Sequence, residues 1–141
     1  MADEAVPAPP ADYTPVVGRG AFTTHNGPYF NGPSDTERSR QAFFILNRHC
    51  NGVGILHGGM ITAFLDGLLA SAVARASGMT PITMHLSVDF LDMGRRGEWV
   101  MGEAWVTKLA RENAFVEGVA RVGDKDVARV SGVFRLLRRR D

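Results

Sequence analysis

Residues 49–78 read H-C-N-G-V-G-I-L-H-G-G-M-I-T-A-F-L-D-G-L-L-A-S-A-V-A-R-A-S-G, and this stretch decides the fold. From Met60 onward, Met60, Ile61, Phe64, Leu65, Leu68, Leu69, Ala72, Val73 and Ala76 recur at helical spacing, and Gly78 supplies a stop. Asp66, Ser71 and Arg75 interrupt the apolar run, which falls short of the roughly 20 apolar residues of a membrane span. A buried helix of a globular domain is expected, with no membrane partner.

Downstream of Gly78 the pattern changes to strands. In Pro81 to Asp92, Ile82, Met84, Leu86, Val88 and Phe90 alternate with Thr83, His85, Ser87 and Asp89, so one face should be buried. Glu98 to Leu109, Ala114 to Val122 and Val127 to Leu137 follow, separated by Arg111-Glu112-Asn113 and by the turn G-D-K-D. Upstream, Arg40 to Arg48 is short, apolar and aromatic and also reads as a strand. One long helix followed by hairpin-connected strands is an α+β arrangement, with the helix lying on a curled antiparallel sheet.

The remaining segments set the boundaries. Residues 1–15 mix alanine and proline and read as a flexible arm, leaving 16–141 as a single domain. Between Val16 and Ser34, Gly18, Gly20, Gly27, Pro28, Gly32 and Pro33 break the chain into short extended pieces. The terminal L-L-R-R-R-D reads as a solvated strand end. A net charge of +1 argues against nucleic acid as a main partner. The single cysteine, Cys50, excludes an internal disulfide framework, and no basic start precedes an apolar run, so the expected location is cytoplasmic.

The chemistry concentrates where the loop enters the helix. Gly58 and Gly59 stand where Ser, Thr, Asp or Asn usually caps, which leaves amide donors for a ligand and permits its close approach. The same glycines also suit close packing of the helix on the sheet. Asp66 sits on the flank of the apolar arc, either satisfied by neighbouring hydroxyls or poised to activate water. Asn51, before Gly52, fits a turn or a positioning amide, and His57 either locks the loop or exchanges protons. The four histidines lack metal-ligand spacing, Cys50 reads as a structural thiol, and G-V-G-I-L-H lacks the third glycine of a dinucleotide fingerprint.

Taken together, His49-x-Asn51, Gly54, His57-Gly58-Gly59 and Asp66, with T-M-H-L-S-V-D-F-L from Thr83, resemble the hotdog thioesterases of the phenylacetic-acid-degradation (PaaI) type. The likeness covers roughly residues 40–137. It implies a hotdog fold, dimers that join their sheets, commonly tetramers, and hydrolysis of an acyl-CoA with no metal or other cofactor. By position, Asp66 resembles the catalytic carboxylate, Gly58 the carbonyl polariser, and Asn51 the group orienting water or thioester. Thr83 falls where some relatives place a serine that holds the attacking water. Phe64 and Leu65 are expected to line the acyl pocket beside Gly59, and Lys108 and Arg111 to meet CoA phosphates.

Two rivals share the fold: a hydroxyacyl dehydratase using His57 and Asp66, and a non-enzymatic acyl-CoA-binding protein. Helix geometry adds a constraint of its own. Gly58 and Asp66, eight positions apart, are separated by about 12 Å along one helix, so one chain cannot bring both to one carbonyl. A shared mechanism then requires two chains about a two-fold axis.

Overall fold

The computed structural model describes residues 4–138. Its elements are β1 (Thr14–Pro15), α1 (Ala21–Asn26), β2 (Tyr29–Asn31), β3 (Ser39–Phe44), a 3-10 turn (Asn47–His49), α2 (Gly58–Ser77), β4 (Thr80–Phe90), β5 (Trp99–Leu109), β6 (Asn113–Val122) and β7 (Lys125–Leu137). The strands form one open antiparallel sheet in the order β1-β2-β3-β5-β6-β7-β4. The sheet curls around α2 in a hotdog fold.

The helical periodicity of the sequence has a direct structural counterpart. Met60, Ile61, Phe64, Leu65, Leu68, Leu69, Ala72 and Val73 are buried in the core, and Gly78 closes α2 in the left-handed conformation at φ 69°. Although α2 is long and apolar enough to cross a membrane by composition alone, here it packs on five strands of the sheet. Close packing depends on missing side chains. A Cβ on Gly102 of β5 would lie 2.7 Å from both Leu68 Cδ2 and Phe64 Cε2, and one on Gly132 of β7 would lie 2.9 Å from Leu69 Cδ1.

Several local expectations are corrected. The strand expected over Arg40 to Arg48 ends at Phe44, because the chain turns at Leu46, whose N–H donates to His49 Nδ1 (3.0 Å). The segment read as extended pieces contains a helix, α1, between Gly20 and Gly27, while β1 places Thr14 and Pro15, assigned to the arm, at the sheet edge. Nearer the start, Glu4 accepts from the Asn47 N–H and pairs with Arg96. Of the terminal L-L-R-R-R-D, Leu137 ends β7 and Arg138 is exposed; the last three residues lie outside the described ones.

The largest correction concerns β4. Three of its five alternating apolar residues are not covered: Ile82 is 44% exposed, Met84 61% and Phe90 56%, with Leu91 and Met93 exposed just beyond. β4 is an edge strand hydrogen-bonded only to β7, so alternation alone does not bury it. Leu86 and Val88 are half-buried against the core. A register shift between Thr83 and His85 leaves Met84 as the extra residue, a β-bulge.

Two measurements probe this architecture. Gly102→Ala should cost about 1–3 kcal/mol in denaturant unfolding, because the two side chains it would strike are fully buried. His49 is buried, accepts from the Leu46 N–H and contacts the Asn26 carbonyl through Nε2 (2.7 Å), and burial holds its pKa below the usual value. The unfolded chain therefore takes up the His49 proton first. Stability present above pH about 6.5 should decline as pH falls through that value towards the lower folded pKa. Unfolding free energies at successive pH values check the slope, which His49→Gln should flatten.

Candidate active site

The site begins where the loop 51–57 enters α2. Asn51 builds this loop: its Oδ1 accepts from the N–H groups of Val53 (3.0 Å) and Ile55 (3.1 Å). The turn reading suggested by Asn51-Gly52 is thus realised, and the side-chain NH2 is what remains for a ligand. The His57 N–H donates to the His49 carbonyl, fastening the loop to the buried His49.

His57 is the N-cap of α2, and its Nδ1 accepts from the Gly59 N–H at 2.8 Å. The expectation that both glycine amides stand free is therefore corrected. Histidine supplies the acceptor that the usual capping residues would, which also fixes the neutral ring with its hydrogen on Nε2. The Gly58 N–H has no intrahelical acceptor and meets none among the described residues. One amide at the positive end of the helix macrodipole is left for an incoming oxygen. The Phe90 ring borders it, for an added Cβ at Gly58 would lie 3.3 Å from Phe90 Cε1 and Cζ.

Asp66 lies two turns further along, half-buried, and its Oδ1 accepts from the Thr83 hydroxyl at 2.6 Å. Simple alternation sets Thr83 opposite Leu86 and Val88, but the bulge at Met84 shifts the phase and turns Thr83 towards α2. The sequence expectation gave these residues related roles, and the fold joins them by a hydrogen bond. Gly58 remains at the start of the same helix, two turns away, with Asn51 in the loop before it.

Phe64 and Leu65 do not line a cleft. Both are fully buried, with Phe64 stacked among Tyr29 and Phe43, because their positions face the sheet. The outward face beside Gly59 instead borders a cleft of about 310 Å³ lined by Phe22, Asn26, Arg48, Cys50, Met60 and Ala63, with His57 at its edge. Phe22 was missed because α1 was not recognised; the six residues between Gly20 and Gly27 were the available signal. Burial pushes the Cys50 thiol up, so it stays protonated and is a poor nucleophile.

Lys108 and Arg111 are exposed near the β5–β6 connection. Register places Leu109, Ala114, Phe134 and Thr83 in one row, so this connection lies three strand spacings, about 14 Å, from Thr83. In register it is level with Thr83, which bonds Asp66. A concavity of about 390 Å³ lies elsewhere, beside Ser87, Asp89, Trp105 and Glu117. Its arginines are occupied, with Arg121 and Arg129 both paired to Asp126.

The comparisons with known proteins agree with this geometry. The Thioesterase superfamily profile matches residues 53–128, spanning the helix entrance, Asp66 and most of the sheet. A protein of Pseudomonas aeruginosa named "Putative esterase PA0474" is 31% identical over 129 residues, covering 90% of this chain and 96% of its own length. Among solved structures, the Escherichia coli PaaI protein from the phenylacetic acid degradation operon superposes with a TM-score of 0.74 at 18% identity, covering 80% of this chain and 86% of that one. A hypothetical thioesterase from Streptococcus pneumoniae, solved with coenzyme A, gives 0.75 at 15% identity over 80% and 91%. With an unpartnered helix-terminal amide, a hydroxyl-bound carboxylate and this match, the chain belongs to the Thioesterase superfamily and is a thioester hydrolase.

Proposed function

We propose that the protein hydrolyses an acyl-CoA whose acyl group is aromatic or of medium length, at sites shared between two copies of the chain. The observation that carries this reading is the Asp66–Thr83 pair, eight residues along α2 from the unoccupied Gly58 N–H. The coenzyme A bound to the pneumococcal structure supports the substrate class.

In this mechanism the thioester carbonyl oxygen points at the Gly58 N–H of one copy. The N-terminal partial charge of α2 stabilises the oxyanion that forms there. Asp66 of the other copy, held by Thr83, takes a proton from water as its oxygen attacks the carbonyl carbon. Collapse of the tetrahedral intermediate breaks the carbon–sulfur bond and releases CoA thiolate and the acid. The free Asn51 NH2 orients the carbonyl or water on the Gly58 side. Direct attack by Asp66 is the alternative route. Lys108 and Arg111, near the connection that is level in the sheet with Thr83, meet the CoA phosphates in this reading.

Homodimerisation through β4 would complete the site. Its unpaired edge and uncovered Ile82, Met84 and Phe90 suit a second copy related by a two-fold axis. The dehydratase reading is less favoured, since His57 Nδ1 is occupied by the Gly59 N–H.

Three tests follow. Asp66→Asn should lower kcat on the best acyl-CoA by about 10²- to 10⁴-fold with a smaller change in KM, measured by release of free CoA thiol. Retention of wild-type turnover would remove Asp66 from the reaction. Gly58→Ala should fold, because the exposed Phe90 ring can give way, yet lose about 10- to 100-fold in kcat as its methyl displaces the thioester. Co-expression of an Asn51→Ala, Gly58→Ala chain with an Asp66→Ala chain should restore about a quarter of wild-type activity, through one intact site in each mixed dimer. Inactive mixed dimers, verified as formed, would refute the shared site.

A further inference from the structure

A second concavity adjoins the cleft at the start of α2. This pocket of about 190 Å³ lies against α1 and β2 and is lined by Arg19, Thr23, Thr24, Tyr29 and Arg48. Arg48 also lines the cleft that reaches His57 and Gly59, so the two spaces are neighbours around one guanidinium.

Neither arginine of this pocket is neutralised by a carboxylate among the described residues. Arg38, Arg40, Arg96, Arg121 and Arg129 each meet a carboxylate, whereas Arg19 and Arg48 meet none among the described residues. Arg48 donates through Nη2 to the Gly27 carbonyl, and Arg19 donates through Nη1 to Ser71 Oγ at 2.9 Å. Each guanidinium keeps further donors. Tyr29 lines the same pocket; it is 6% exposed, and its hydroxyl has no hydrogen-bond partner among the described residues. Burial pushes this phenol up to about 12, so it remains a neutral donor. A buried hydroxyl without an acceptor costs about 1–3 kcal/mol.

We propose that this pocket binds a carboxylate at the far end of the acyl group, so that the preferred substrates are medium-chain acyl-CoA thioesters carrying a terminal carboxylate. The inference rests on the acyl-CoA thioesterase reading and deepens it. A carboxylate accepts from both guanidiniums and from the Tyr29 hydroxyl, matching donors without acceptors to an acceptor that also neutralises positive charge. A plain alkyl end would leave those donors unpaired, which is how a polar pocket rejects an apolar analogue. The Tyr29 hydroxyl is shielded from solvent, and α1 borders its pocket through Thr23 and Thr24. That helix buries none of its residues and follows Gly18 and Gly20, both at positive φ. Reach favours the longer chains of the medium range: Arg48 also lines the cleft at His57 and Gly59, whereas Ser71, which holds Arg19, is thirteen positions beyond Gly58, or about 20 Å along α2.

The test compares kcat/KM for adipyl-CoA with hexanoyl-CoA, and for suberyl-CoA with octanoyl-CoA. The carboxylated member of at least one pair should be preferred by about tenfold or more, and Arg48→Gln or Tyr29→Phe should reduce that ratio by a similar factor, about 1.4 kcal/mol. Tyr29→Phe carries a second readout. It removes an unpartnered hydroxyl, so melting should be unchanged or raised while selectivity falls, whereas a purely structural role would lower stability. Hydrolysis of the alkyl thioesters without preference for their carboxylated partners overturns the inference and leaves the thioesterase reading standing. Failure to hydrolyse any of the four while an aromatic acyl-CoA is hydrolysed overturns the inference alone, and failure on the aromatic thioester as well refutes both. Thermal stabilisation by free adipate or inorganic phosphate without the substrate preference would identify a free-anion site and likewise overturn the proposal.

Discussion

The structure depends on burying one face of α2 inside the curl of the sheet. Leu68 and Leu69 enter spaces that exist because Gly102 and Gly132 carry no side chain, and Phe64 packs into the aromatic cluster with Tyr29 and Phe43. Apolar burial on this scale is the principal favourable term in folding, and the short contacts fix the helix both along and about its axis. Everything at the site inherits that placement. Rotating α2 to bring Phe64 outward would empty the core, so the residues able to face a ligand are the small ones, Gly59 and Ala63, together with Asp66 on the flank.

That same constraint separates the chemistry into two stations. Gly58, His57 and Asn51 stand at the helix entrance, while Asp66 and Thr83 stand two turns away. Within each station the hydrogen bonds are specific: His57 satisfies Gly59 and leaves Gly58, and Asn51 spends its carbonyl on the loop and keeps its NH2. At the second station Thr83 donates to Asp66 and orients the carboxylate. Because α2 is rigid, the stations cannot approach each other within a chain. The uncovered apolar residues of β4 lie beside both, with Phe90 against Gly58 and Thr83 on Asp66, so a partner docked there would meet both stations.

The N-terminal segment contributes differently. α1 adds nothing to the core, yet Phe22, Asn26, Thr23 and Thr24 border the spaces on either side of Arg48. A weakly packed element over a cleft costs the fold little when its sequence changes. This is a physical setting in which acyl preference can vary while the machinery on α2 stays fixed.

By itself, the sequence determined the elements whose cause is local. The 3.6-residue recurrence from Met60 to Ala76 and the stop at Gly78 specify α2, and the alternating strands with turn residues between them specify the hairpins. The pattern from His49 to Asp66 marked the candidate site because glycine, histidine and carboxylate are unusual at a helix entrance. Only the tertiary structure decided what depends on phase and neighbours. Helical phase took Phe64 and Leu65 into the core, and a bulge at Met84 turned Thr83 to Asp66. The position of β4 at the sheet edge left its alternating apolar residues uncovered, since alternation records which side chains share a face and not what lies opposite. The His57 cap, the short α1 and the meeting of Arg19, Arg48 and Tyr29 likewise arise from contacts between distant segments, which no local periodicity encodes.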